Sequence, residues 1–69
     1  MFMNTFGNNL KCIRKANSLC QREFAKKMNT TQQRVSEWEC NKVEPSLYNI
    51  LQIIRILNTT FEELTDGIE

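Results

Sequence analysis

Two adjacent glutamines, Gln32 and Gln33, are the side chains of this 69-residue sequence with the most specific chemistry. A glutamine amide offers one acceptor and two donors, so it can form a two-bond contact with N6 and N7 of adenine. Each good contact of this kind contributes about 1–3 kcal/mol of discrimination between bases. Thr31 is a good helix cap, so both amides are expected in the first turn of a short helix that fits a DNA major groove. The alternative is that they are exposed polar residues without a ligand.

The outward face of the same predicted helix carries further polar groups. At about 100° per residue, Gln33 and Glu37 point to one side, with Arg34 and Ser36 on its flanks. Glu37 can accept a hydrogen bond from N4 of cytosine, repel phosphate, or stay solvated away from the bases. The candidates for reading bases are Gln32, Gln33, Ser36 and Glu37.

Two positions beside this face are suited to a phosphate backbone. Gln21 and Arg22 open the preceding predicted helix, where free amide groups and the helix dipole favour an anion. Thr31 can act as a helix cap only, or as a cap that also donates to a phosphate.

Charge is divided unevenly along the chain, although the net charge is only +1. Residues 1–35 have a formal charge of +6, and residues 36–69 have a formal charge of −5. This asymmetry suggests a basic face for a polyanion and an acidic face turned away from it. Ordinary solvated charge is the alternative interpretation.

Several classes of function lack the residues that they need. The sequence contains no histidine, and its cysteines (Cys12, Cys20 and Cys40) have no Cys-x-x-Cys spacing. We therefore expect no metal, no cofactor and no enzymatic activity. Met1-Phe2-Met3-Asn4 lacks the features of a secretion signal, and no segment approaches the roughly 20 apolar residues of a membrane span. The sequence predicts a cytoplasmic protein without a membrane partner or a separate effector-binding domain.

Apolar residues recur at helical spacing nearly throughout, which predicts an all-α fold. Capping residues indicate five short helices in one domain, residues 1–69 with a core of about 6–65. The helices are expected to begin after Thr5, Cys20, Thr31, Ser46 and Thr60, and to end near residues 17–18, 28, 39–40, 58 and 64. The thiol at residue 20 is expected to be a poor cap. Asn29 and Asn41 are candidates for the left-handed conformation that ends a helix.

The spacing of the apolar residues also predicts a core. Ile53 and Ile56 lie off the main apolar stripe of helix 4, and they either pack against helices 1 and 5 or form a dimer surface. Trp38 is expected in the core and not as a stacking platform for bases. The predicted core residues are Leu10, Ile13, Phe24, Ala25, Met28, Val35, Trp38, Leu47, Ile50, Leu51, Ile54, Leu57, Phe61 and Leu64.

Five short motifs follow one another with short loops between them. They are Leu10-x-x-Ile13-Arg14, Leu19-Cys20-Gln21-x-x-Phe24-Ala25-x-x-Met28, Val35-Ser36-x-Trp38-Glu39, Glu44-Pro45-Ser46-Leu47 and Leu57-Asn58. Together they resemble the helix-turn-helix domains of the lambdoid phage repressor and Cro type, also called the xenobiotic-response-element-like family. The resemblance extends from about Phe6 to Leu64. It departs from the family at Cys20, Asn29, Cys40-Asn41 and Asn58, where polar capping residues or glycines are frequent.

The resemblance implies a compact repressor-like domain in which helix 3 enters the major groove and helix 2 crosses the phosphate backbone. It also implies an ion pair, Arg14 with Glu39, between helices 1 and 3. The predicted phosphate contacts are Gln21, Arg22, Thr31, Arg34, Asn41 and Lys42. The implied function is a sequence-specific regulator of transcription, with a repressor favoured, that binds double-stranded DNA at a palindromic operator as a homodimer. An antitoxin-like or other protein-interaction module with the same fold is the alternative.

Overall fold

The computed structural model describes residues 4–68 of the chain. Five helices follow in order within these residues: α1 (Phe6–Ala16), α2 (Gln21–Lys27), α3 (Gln32–Glu39), α4 (Leu47–Leu57) and α5 (Phe61–Leu64). The same residues contain no β-strand. The predicted all-α fold with five helices is confirmed, and none of the described helices has the length and apolar character needed to cross a membrane.

Each helix begins at a residue whose side chain accepts a hydrogen bond from the backbone N–H three residues later. The five caps are Thr5, Cys20, Thr31, Ser46 and Thr60, as predicted. Cys20 was expected to be a poor cap, yet its Sγ lies 3.5 Å from the Glu23 nitrogen and caps α2. The carboxylate of Glu23 also accepts from the Cys20 N–H at 3.0 Å. This reciprocal capping box gives the thiol a partner that compensates for its weakness as an acceptor.

Among residues 4–68, four residues other than glycine have positive φ angles between helices. Asn29 (φ 56°) and Asn41 (φ 60°) confirm the two predicted left-handed positions, and Asn58 (φ 51°) caps the end of α4. Ser18 (φ 59°) was not predicted, since serine carries no strong signal for this conformation. Three of these four left-handed residues are therefore asparagines, although glycine adopts the left-handed conformation with less strain.

The core lies between α1, α2, α3 and the inner sides of α4 and α5. Nine apolar residues of the described part of the chain are buried: Leu10, Phe24, Ala25, Met28, Val35, Trp38, Ile53, Leu57 and Leu64. Ile13, Ile50 and Ile54 are half-buried and pack against this core, together with Ile56. Trp38 and Ile53 are therefore core residues, and Ile56 is half-buried against the core.

Three predicted core residues are exposed, so this part of the prediction was wrong. Leu47, Leu51 and Phe61 are 73%, 49% and 55% exposed, whereas Ile53 is 0% exposed. Apolar residues occupy most of the circumference of α4, so its periodicity allowed more than one buried face. Packing against the other helices buries the face of α4 that carries Ile53 and Leu57.

Candidate nucleic-acid interface

The turn between α2 and α3 brings two short helices into close contact. Asn29 N–H donates to the Lys26 carbonyl at 3.1 Å, and Thr30 N–H donates to the Ala25 carbonyl at 2.9 Å. These two bonds satisfy free carbonyl groups at the end of α2 in the pattern of a Schellman motif, with Asn29 as the left-handed residue. Because the turn is so short, α3 is held against α2 at a defined angle.

The beginning of α3 projects polar side chains into solvent. Gln32, Gln33 and Arg34 are exposed, while Ser36 and Glu37 are half-buried further along the helix. Thr31 Oγ1 accepts from the backbone N–H of residue 34 at 3.1 Å, so the N-terminal end of α3 is capped. The four candidates for reading bases therefore lie on one short helix, and its two glutamines are the most accessible of them.

Glu37 is not an isolated acid on this face. Its Oε1 lies 3.8 Å from Nε of Arg34, one turn earlier on α3, and the two side chains are 31% and 51% exposed. At this distance and exposure the pair is weak, and both groups remain accessible to solvent. Arg34 nevertheless offsets part of the negative charge beside the glutamines.

A buried polar cluster connects three helices behind the exposed face of α3. Nε of Arg14 on α1 lies 2.6 Å from Oε2 of Glu39 on α3, and its Nη2 lies 3.1 Å from Oε1. Nη1 of Arg14 also donates to the Leu19 carbonyl at 2.7 Å. The predicted Arg14–Glu39 pair is thus present. The hydrogen bond and the charge of Glu39 raise the pKa of Arg14 although burial opposes this.

The same cluster holds the side chain of Gln21, which is one of the predicted phosphate contacts. Nε2 of Gln21, the first residue of α2, donates to Oε1 of Glu39 at 3.0 Å. Gln21 is half-buried, and the neighbouring Arg22 is exposed. The amide of Gln21 is thus held at the N-terminal end of α2, where an anion is favoured.

The loop after α3 carries two of the predicted phosphate contacts, Asn41 and Lys42. Both residues are exposed. The amide of Asn41 also forms hydrogen bonds within the protein: its Oδ1 accepts from Gly7 N–H at 2.9 Å, and its Nδ2 donates to Thr5 Oγ1 at 3.0 Å. Gly7 was not singled out from the sequence, although glycine in the first turn of a helix is a sign of close backbone contact.

Two short helices joined by a tight turn, with an exposed polar first turn on the second helix, define a helix-turn-helix unit. The sequence model of the helix-turn-helix family matches residues 10–64, and the chain belongs to this family. Within this family, the chain is of the lambdoid repressor and Cro type. It is therefore a DNA-binding regulator of transcription. No curated protein matches the chain.

Two solved structures of the P22 c2 repressor are similar to the chain. In one, the repressor is in complex with synthetic operator 9T in the presence of Tl⁺. That structure has a TM-score of 0.86 and 23% sequence identity over 94% of this chain and 98% of the other. The other is the solution structure of the repressor's DNA-binding domain, with a TM-score of 0.86 and 24% identity over 97% of this chain and 88% of the other. At these identities the similarity establishes the fold.

Proposed function

We propose that this protein is a sequence-specific repressor of transcription that acts in the cytoplasm and reads the major groove of double-stranded DNA with α3. The observation that carries the proposal is the exposure of Gln32 and Gln33 in the first turn of a helix whose other side is anchored. The buried Trp38 and the Glu39–Arg14 pair provide that anchor. A rigid support is what paired hydrogen bonds to a base edge require, because small displacements break their geometry.

The polar residues around α3 supply the phosphate contacts of the proposal. Gln21 and Arg22 lie at the start of α2, Thr31 and Arg34 lie at the start of α3, and Lys42 follows its end. Such contacts set the register of a protein on the duplex without reading sequence, and they make affinity depend on salt. The formal charge of +6 in residues 1–35 favours the same surface for DNA.

We further propose a homodimer on a palindromic operator. A single domain of this size presents few base contacts, and two-fold dimers that read half-sites about one helical turn apart are the usual solution. A candidate surface is the α4 ridge, defined as Leu47, Tyr48 and Leu51, which are 73%, 67% and 49% exposed. Because these residues lie on adjacent turns of one helix, a second copy could cover them by two-fold self-association.

The proposal is tested by selecting bound duplexes from a random DNA pool and repeating the selection with Gln32→Ala and Gln33→Ala. We expect the wild type to enrich one palindromic site, and each variant to lose preference at particular bases of each half-site. Asn8→Ala is the matched control, because Asn8 is exposed on α1 and lies outside both α3 and the α4 ridge, and it should select the same site as the wild type. Salt-sensitive binding without an enriched site, unchanged by the two α3 substitutions, would refute base reading by these glutamines.

A further inference from the structure

We propose that Asn41 is a positioning residue for α3: its side chain fastens the C-terminal end of α3 to the first turn of α1. The inference rests on the proposed function, because it concerns how the reading helix is held against the rest of the domain. It gives the exposed Asn41 a structural role in addition to the phosphate contact predicted from the sequence.

The backbone of Asn41 ends α3. Its φ of 60° is left-handed, and its N–H donates to the Trp38 carbonyl at 3.2 Å. The N–H of Lys42 donates to the Glu37 carbonyl at 2.9 Å. These bonds form a Schellman motif, which requires a left-handed residue and no particular side chain. Glycine would serve this purpose with less strain, so the turn itself does not explain the asparagine amide.

The side chain of Asn41 makes two bonds to a different helix. Its Oδ1 accepts from Gly7 N–H at 2.9 Å, and its Nδ2 donates to Thr5 Oγ1 at 3.0 Å. The Gly7 N–H is among the first amide groups of α1, which have no partner within their own helix. Thr5 already accepts from Asn8 N–H at 3.1 Å. The amide of Asn41 thus completes the cap of α1 from the end of α3.

Gly7 allows the two helix ends to approach closely. A Cβ atom at this position would lie 2.4 Å from the Glu39 carbonyl oxygen and 2.7 Å from that of Trp38. Both distances are shorter than real contacts of a Cβ atom, so the backbone of α1 lies directly against the last turn of α3. The positive end of the α1 dipole therefore meets the negative end of the α3 dipole, which adds electrostatic attraction.

Two attachments on α1 hold α3 at a defined tilt. The first is the hydrogen bond between Asn41 and Gly7, and the second is the ion pair between Glu39 and Arg14. Arg14 lies seven residues after Gly7, which is about 10 Å further along α1. Gln32 lies about 13 Å from Asn41 along α3, so a tilt of about 5° would move its Cα by about 1 Å. Binding sites require placement within about 0.5 Å. Releasing the Gly7 attachment is therefore expected to weaken base contacts more than phosphate contacts.

The test compares the same substitution at two left-handed asparagines. Asn41→Gly keeps the backbone conformation and removes both side-chain bonds. The matched control is Asn58→Gly at the end of α4, where φ is 51° and the side chain makes no hydrogen bond within the described part of the chain. The readout is the ratio of affinities for the selected operator and for a random duplex, measured where circular dichroism shows every variant fully folded. We expect Asn41→Gly to lower this ratio about tenfold, the equivalent of one good base contact.

A second readout reports the attachment without DNA. Amide exchange of Gly7, followed by NMR, should become faster in Asn41→Gly and stay unchanged in Asn58→Gly. An Asn41→Gly protein with lower thermal stability but an unchanged affinity ratio would overturn the positioning role. Unchanged Gly7 exchange would overturn the attachment itself. If the wild type enriches no operator, the proposed function fails independently, and Gly7 exchange alone then decides whether the attachment exists.

Discussion

The buried Arg14–Glu39 pair leads to a quantitative prediction about stability. The two side chains are 6% and 2% exposed, and their closest atoms, Nε and Oε2, are 2.6 Å apart. Removing one partner leaves a buried charge without compensation, which destabilises a protein by about 3–5 kcal/mol. A domain of this length has a total free energy of unfolding of about 3–10 kcal/mol. Arg14→Met or Glu39→Met alone should therefore remove a large part of the free energy of unfolding. If the total lies at the lower end of its range, the single variant should be unfolded.

The double variant Arg14→Met/Glu39→Met should behave differently. It removes both charges and places apolar side chains of similar volume in the same space, so it should be more stable than either single variant. The measurement is urea unfolding followed by helical circular dichroism and by the fluorescence of Trp38. This is the sole tryptophan, and it is 2% exposed in the native state.

A second arginine–glutamate pair in the same chain serves as the control. Arg34 and Glu37 lie 3.8 Å apart with side chains that are 51% and 31% exposed. Their single methionine variants and double variant should differ from the wild type by less than about 1 kcal/mol. If Glu39→Met is as mild as Glu37→Met, or if the effects at the buried pair are simply additive, the argument from burial is refuted.

Three further predictions concern single substitutions. Glu37→Gln removes a carboxylate beside the phosphates and should tighten binding to random DNA in a gel-shift titration; unchanged affinity would place Glu37 outside the groove. Hydrogen bonds from the backbone and then the thiol of Cys20 lower the pKa of Glu23 below its ordinary 4.5. The part of the stability difference between wild type and Glu23→Ala that comes from the charge of the carboxylate should thus be full above pH 4.5 and be lost as the pH falls through that lowered pKa, which thermal unfolding at several pH values can check. Leu51→Lys should abolish dimers in sedimentation equilibrium with unchanged helix content, and a persistent dimer would exclude the α4 ridge as its interface.

Local features of the sequence were sufficient for much of the fold. Thr31 followed by the two glutamines predicted the start of α3, and Asn29 predicted the end of α2. Such signals are reliable because a cap bonds to backbone groups only a few residues away. The phase of α4 could not be obtained in this way, because Leu51 and Ile53 are equally apolar and only the neighbouring helices distinguish them.

The sequence was sufficient to determine the helix order, the capping residues, the exposed glutamines and the family, since each follows from spacing and residue type along the chain. The tertiary structure decided which face of α4 is buried, that Gln21 joins the Arg14–Glu39 cluster, and that the amide of Asn41 caps α1. The physical reason is sequence separation: the bond between Asn41 and Gly7 spans 34 residues. Contacts of this kind have no local pattern, because they depend on where packing places two helix ends.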